Sequence, residues 1–156
     1  MTARHSEFLD IIRVTARAVI WREGRVLVQV KQAEDGRIYL GLPGGRLEPG
    51  ETLADAARRE AWEEVAARVE VKSLLRVAEI YKRRPEGLRH QLEHLFLCHV
   101  DDTYLPQMGA EPDSKQIAVR WADPMAEAAL FDPPYAMLLT DETAETYQGV
   151  VHDETA

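Results

Sequence analysis

The sequence predicts one mixed α/β domain. Three observations predict it: two β-branched runs early in the chain, one long alanine-rich helical stretch, and further apolar runs beyond it. A chain of 156 residues is about one domain long and can bury a core without disulfide or metal staples. Thr15–Ile20 and Arg25–Lys31 flank Arg22-Glu23-Gly24 and read as a hairpin. Ile38–Leu42 is a short strand, and Pro43-Gly44-Gly45 is expected to end its pairing. Thr52–Arg68 is the long helix: Thr52 followed by Asp55 is a capping signature, and six alanines favour helix. Val69–Tyr81 and Gln91–Val100 read as strands joined by the basic segment Lys82-Arg83-Arg84-Pro85-Glu86-Gly87. Ile117–Trp121 adds a strand, and Pro124–Leu130 and Pro134–Leu139 read as short helices. The domain is expected to occupy residues 1–140. Residues 141–156 are expected to form an acidic, mobile tail, because five acidic residues and no Lys or Arg follow Thr140.

Composition narrows the class. A hydrophobic fraction of 46% with 29% charged residues belongs to a globular protein and argues against wholesale disorder. The single cysteine, Cys98, lies in the apolar run Leu95–Val100; this rules out a disulfide framework or a cysteine-rich zinc site and marks an inert core thiol. Met1–Val14 carries Arg4, Glu7, Asp10 and Arg13 where a secretion signal would be apolar, and no run reaches the ~18 apolar residues of a membrane span. The expected location is therefore cytoplasmic. A net charge of −8 argues against broad, stable binding to nucleic acid, whose affinity comes mainly from Lys and Arg on phosphates.

The chemistry lies between Gly44 and Glu64. On a helix over Thr52–Arg68, Glu60 and Glu64 stand one turn apart with Glu63 beside them, and Leu53, Ala56, Ala57 and Ala67 share their side. Carboxylates on a core-facing stripe repel one another, by roughly 0.2–0.5 kcal/mol per i,i+4 pair before burial is counted. A hard divalent cation removes that repulsion, since carboxylate oxygens are its preferred ligands. The alternative is a solvated acidic face paired with Arg58, Arg59 and Arg68. The flanks favour the cation: Gly44 and Gly45 let backbone approach a ligand, Glu51 can reach back from the helix start, and Arg59 adjoins Glu60.

This run resembles the Nudix box, Gly-x5-Glu-x7-Arg-Glu-U-x-Glu-Glu-x-Gly-U with U apolar. It is met by Gly45, Glu51, Arg59, Glu60, Ala61, Glu63, Glu64 and Ala67, with Ala66 in place of the last glycine. Alanine there is expected to lengthen the helix slightly without touching the ligands. The resemblance implies an α/β/α sandwich with a mixed sheet. It also implies a hydrolase that uses Mg²⁺ or Mn²⁺ to cleave the pyrophosphate bond of a small-molecule nucleoside diphosphate derivative: an ADP-sugar, a dinucleotide or a nucleoside triphosphate. By position, Glu60 and Glu64 are primary metal ligands, Glu63 supports them, Gly44 lends a carbonyl, Glu51 is an outer ligand and Arg59 orients Glu60. A homodimer is compatible with the family, and a membrane partner is not expected. A non-catalytic Nudix-fold nucleotide sensor is the alternative, although such modules commonly lose box carboxylates that survive here. An isomerase is a third option, poorly served by the lone Cys98.

Three glutamates compete as general base: Glu60 in the box, Glu93 on the strand Gln91–Val100, and Glu111 in the loop Tyr104–Lys115. Gln116 stands where many relatives carry an acid. His90 and His94, about 13 Å apart along an extended strand, cannot share one ion and read as structural. Lys82, Arg83, Arg84 and Arg89 suit a terminal or second phosphoryl group, or else form a solvated hairpin tip. Tyr39, Tyr81 and Trp121 are candidates to stack on a base or to pack in the core. Leu40 occupies the place where relatives often carry an aromatic.

Overall fold

The computed structural model describes residues 7–155, so Met1–Ser6, which hold part of the segment read for a secretion signal, lie outside it, as does Ala156. The early hairpin forms as expected. β1 (Arg13–Arg22) and β2 (Arg25–Gln32) pair antiparallel through Trp21↔Val26 and Arg22↔Arg25. Glu23 and Gly24 between them take φ of 51° and 77°, matching a two-residue turn to the strands' twist. β3 (Ile38–Gly41) pairs antiparallel with β2. Pairing does not stop at Pro43-Gly44-Gly45. Instead β4 (Gly44–Arg46) runs antiparallel to β1 from Arg17↔Gly44 to Thr15↔Arg46, and the Ala18 N–H donates to the Pro43 carbonyl at 2.8 Å.

The helix α1 spans Leu53–Val65, shorter than the predicted Thr52–Arg68. Its start is as expected, with the Asp55 N–H donating to Thr52 Oγ1 at 3.0 Å. Its end is not. Ala66 adopts the left-handed conformation (φ 53°, ψ 34°) and its N–H donates to the Trp62 carbonyl at 3.1 Å, so alanine makes the exit turn that glycine makes more cheaply. The segment from Tyr104 to Gln116 clasps the last turn of α1. The Glu111 N–H donates to the Glu63 carbonyl (2.9 Å), the Gly109 N–H and Gln116 Nε2 donate to that of Glu64 (2.9 and 2.8 Å), and the Tyr104 hydroxyl donates to that of Val65 (2.6 Å). A Cβ at Gly109 would stand 2.1 Å from the Glu63 carbonyl oxygen, which fixes that position as glycine.

β5 (Glu70–Arg84) and β6 (Gly87–His99) form a long hairpin turning at Pro85-Glu86. Lys82–Arg84, predicted to lie in the connection, belong to β5. β6 pairs parallel with β1 from Arg13↔Gln91 to Ile20↔Cys98, which makes the sheet mixed. β7 (Gln116–Ala122) pairs antiparallel with β2. Of the two short helices expected next, the first is only a 3₁₀ turn at Ala128–Leu130 and the second is α2 (Ala136–Thr140). The acidic end is no frayed tail. β8 (Tyr147–Asp153) pairs parallel with β5 and extends the strand order to β3-β2-β1-β6-β5-β8. Hydrogen bonds along β5 hold a segment whose charge alone suggested mobility.

Alternation along β1 sends Ala18 and Ile20 to a core with Ala61 and Val65 of α1, while Val19 enters an opposite core with Tyr135, Ala136 and Leu138. The sheet is thus covered by α1 on one face and by α2 with the 3₁₀ turn on the other, the expected sandwich. Cys98 is buried and its thiol is pushed up to about 12 by burial, so it stays protonated and inert. Substitutions at the two ends of the clasp are expected to act in opposite directions. Ala66→Gly raises stability by about 1 kcal/mol and Gly109→Ala lowers it by about 1–3 kcal/mol; denaturant midpoints at unchanged slope measure both.

Candidate active site

The exposed turn before α1 and the buried side of its last two turns bring the predicted carboxylates to β4. Glu64 is only 5% exposed, and one carboxylate oxygen accepts the Gly44 N–H at 2.8 Å. Burial, reinforced by the neighbouring Glu60, pushes its carboxyl up to about 7 from an ordinary 4.5. Glu60 is also raised, again by burial first. A Cβ at Gly45 would sit 2.6 Å from Glu60 Oε1. Glycine is therefore required where the strand passes over the carboxylate.

Arg59 gathers the other acids. Its Nε donates to Glu51 Oε2 (2.7 Å) and its second terminal nitrogen to Glu51 Oε1 (3.0 Å). Its first terminal nitrogen donates to Glu60 Oε1 (3.0 Å) and Glu63 Oε2 (3.2 Å). The bidentate pair with Arg59 holds Glu51 below the usual carboxylate range. One guanidinium thus fixes Glu51, Glu60 and Glu63 together, with a further bond to the Arg46 carbonyl at 3.2 Å.

Among the described residues no three His, Cys, Asp or Glu side chains converge tightly enough to cage an ion by themselves. The donor set nevertheless fits a hard divalent cation that keeps waters and shares substrate oxygens: the carboxyls of Glu60 and Glu64 and the backbone of Gly44 and Gly45 line one cavity and offer oxygen donors. The carboxyl of Glu64, unstable as an anion where it lies, is the group a cation would relieve. Glu51 and Glu63 are turned toward Arg59 instead.

The cavity measures about 420 Å³ and opens between α1, β4 and the sheet. Arg17 lines it and was not singled out by sequence; it donates to the Gly44 carbonyl at 3.0 Å and, through Nε, to Glu93 Oε2 at 3.3 Å. Glu93 is wholly buried and does not line the cavity; its other oxygen accepts the Tyr135 hydroxyl. Both of its oxygens are committed to holding Arg17 and Tyr135, so it is not turned toward solvent. Glu111 is exposed and also outside the cavity, tied to α1 through its backbone. Of the three base candidates only Glu60 faces the cavity. Arg17 did carry a signal, a lone charge inside a β-branched central strand. Tyr135 carried none.

The weaker candidates divide. Gln116 caps the end of α1 and accepts a bond from Gln29 Nε2 at 2.8 Å, a structural use of the position. His90 lies 2.7 Å from Glu79 Oε1, and His94 Nδ1 donates to the Thr15 carbonyl at 2.9 Å, both structural as expected. Tyr39 lines the cavity with the Arg37 guanidinium 4.9 Å from its ring centroid. Tyr81 packs edge-on to Phe8 and His90, and Trp121 lies under Arg22, both away from the cavity. Lys82, Arg84 and Arg89 line it, and Arg83 does not.

Comparison with known proteins agrees with this geometry. A family model described as the NUDIX domain matches residues 12–141. A MutT-like protein of Streptomyces ambofaciens is 33% identical over 129 residues, 82% of this chain and 75% of that protein. Phosphatase NudJ of Escherichia coli K12 is 38% identical over 64 residues, so the match spans only 41% of either chain. The structure of a NUDIX hydrolase from Nitrosomonas europaea superposes with a TM-score of 0.65 over 81% of this chain and 84% of that one; at 24% identity the likeness is one of fold. No helix among the described residues is long and apolar enough to cross a membrane. Divalent metal dependence is general in this family. The chain belongs to the Nudix family and is a Nudix pyrophosphohydrolase.

Proposed function

We propose that the substrate is a nucleoside diphosphate linked to a further moiety, and that Mg²⁺ or Mn²⁺ held by Glu60, Glu64 and the Gly44 carbonyl serves its hydrolysis. One observation carries the reading: two carboxyls raised by burial share the floor of a cavity with a bare glycine backbone. When bound, the cation supplies charge neutralisation for the diphosphate and polarises the phosphorus under attack. The residues do the rest by position. Arg59 holds Glu60 in one orientation through its bond to Oε1, while Glu51 and Glu63 hold Arg59. Arg17, kept in place by Glu93, presents its charge beside the Gly44 carbonyl. Glu60 takes a proton from the attacking water; the new P–O bond forms as the bridging P–O bond breaks, and two phosphorylated products leave.

Glu60→Gln is expected to lower kcat by about 10²–10⁴-fold, the usual contribution of a positioned base. Glu64→Gln is expected to lower turnover comparably while the circular dichroism of both variants stays that of the parent. A panel of ADP-ribose, diadenosine polyphosphates and nucleoside triphosphates with Mg²⁺ or Mn²⁺ reads the effect through monophosphate or pyrophosphate release. Parent rates in both variants across that panel would remove the reading.

The carboxyl of Glu64 gives a pH test with a definite sign. In the metal-free protein it keeps its proton up to about pH 7, whereas the unfolded chain releases it near 4.5. Between those values the native state binds more protons than the unfolded state, so stability falls as pH rises through the window. The melting temperature of chelator-treated protein is expected to fall from pH 5 to pH 7.5. Glu64→Gln flattens that fall, and Mg²⁺ or Mn²⁺ raises the melting temperature at pH 7.5 far more than at pH 5.

A further inference from the structure

One face of three neighbouring strands changes character along its length. Alternation puts Arg13, Thr15, Arg17 and Val19 of β1 on a common side, and the registers Arg13↔Gln91, Lys82↔Arg89 and Ala78↔Glu93 place β6 and β5 beside it. At one end this face is core, at Val19, Leu95 and Ala78. At the other it is basic: Arg13, Lys82, Arg84 and Arg89 line the active cavity, joined by Arg46 of β4.

These five cations are unspent. Among the described residues none of their side chains forms an ion pair or a side-chain hydrogen bond, whereas Arg17 is matched by Glu93 and Lys31 by Asp113. The cavity's remaining acid, Asp132, is paired with Arg37 at 3.3 Å. The Nε of Arg84 is buried with no partner at all. Burial and mutual repulsion hold Arg13 and Arg89 below the ordinary arginine range. A chain of net charge −8 has nonetheless gathered cations that repel one another on one wall.

The wall is also too long for a diphosphate. Arg17 touches the Gly44 carbonyl, and Arg13 lies four residues further along the same strand, about 13 Å away. Arg13, Arg46 and Arg89 in addition border the adjoining groove of about 730 Å³, so the row leads outward from Glu60 and Glu64. Resting on the hydrolase reading above, we propose that this wall is a second phosphate subsite, and that the substrate carries a phosphate chain longer than two phosphoryl groups. Guanidinium forks suit successive phosphoryl oxygens. The chain runs from the carboxylates past Arg84 and Arg89 toward Arg13.

The test separates binding from turnover. Inorganic tripolyphosphate and pyrophosphate are titrated calorimetrically into chelator-treated protein. The parent is expected to hold tripolyphosphate at least ten-fold more tightly than pyrophosphate. Arg84→Gln with Arg89→Gln is expected to abolish that preference and flatten its salt dependence. Arg13→Gln, on a different strand, weakens it in the same direction, and Arg83→Gln, outside the cavity, leaves it intact. Relieving repulsion should keep the double variant's melting temperature at or above the parent's, and Arg13→Gln decides alone if it does not. In turnover, the ratio of kcat/KM for adenosine tetraphosphate over ADP-ribose is expected to fall at least ten-fold in the double variant. Equal affinity of the parent for the two anions, or a preference untouched by these variants, overturns the subsite. Should tripolyphosphate bind as described while no compound is hydrolysed, the hydrolase reading fails and the subsite stands.

Discussion

The arrangement depends on one buried carboxyl kept against one backbone amide. Glu64 leaves water to meet the Gly44 N–H, and that bond, with the nearby Arg17 charge and Gln29 amide, does not offset the burial that disfavours an anion there. Burying an unpaired charge is costly enough that the group keeps its proton instead. That contact demands that α1 and β4 stay within a hydrogen bond of each other while Glu60 fits under Gly45 with no room for a Cβ. The loop from Tyr104 to Gln116 meets the requirement from the far side. It satisfies the carbonyls of Glu63, Glu64 and Val65, so the end of the helix has no freedom to drift. Stability of this turn therefore serves the geometry of the site it carries.

Much of this was legible because it is local. Residue spacing alone put Glu60, Glu63 and Glu64 on one side of a capped helix, and the positive-φ turn at Glu23-Gly24 was written in its residues. What could not be read came from contacts distant in sequence. Glu93 reads as a strand residue of ordinary exposure until Arg17 and Tyr135 are brought to it from 76 and 42 positions away. Gly44–Arg46 has too few side chains to show a strand pattern, and it pairs only because β1 presents an edge to it. Ala66 departs from its local signal for a different reason: propensity favours continuing the helix, but tertiary contacts to the preceding carbonyls impose the exit, and the alanine accepts a strained backbone.

The group Arg17, Glu93 and Tyr135 shows how a fixed positive charge can be kept close to a cluster of acids without being captured by it. Arg17 has bonds in two directions: to Glu93 below and to the Gly44 and Leu42 carbonyls above. Tyr135 occupies the remaining oxygen of Glu93 and closes the apolar core beneath. The pair is thus neutral in sum yet presents its cationic side to the cavity. Replacing only one member would strand a buried charge, which is the costly way to break such a pair.

β8 lies beyond the last residue matched by the family model, 141, and covers the outer side of β5. That strand carries Lys82 and Arg84, and without its neighbour it would become the sheet's margin, with a line of bare amides and carbonyls. An exposed margin of this kind invites pairing with other chains and clumping in solution. A fragment trimmed at residue 141 would retain every carboxylate of the site and still be prone to self-adhesion. The acidic segment that forms β8 is thus a guard rail for β5.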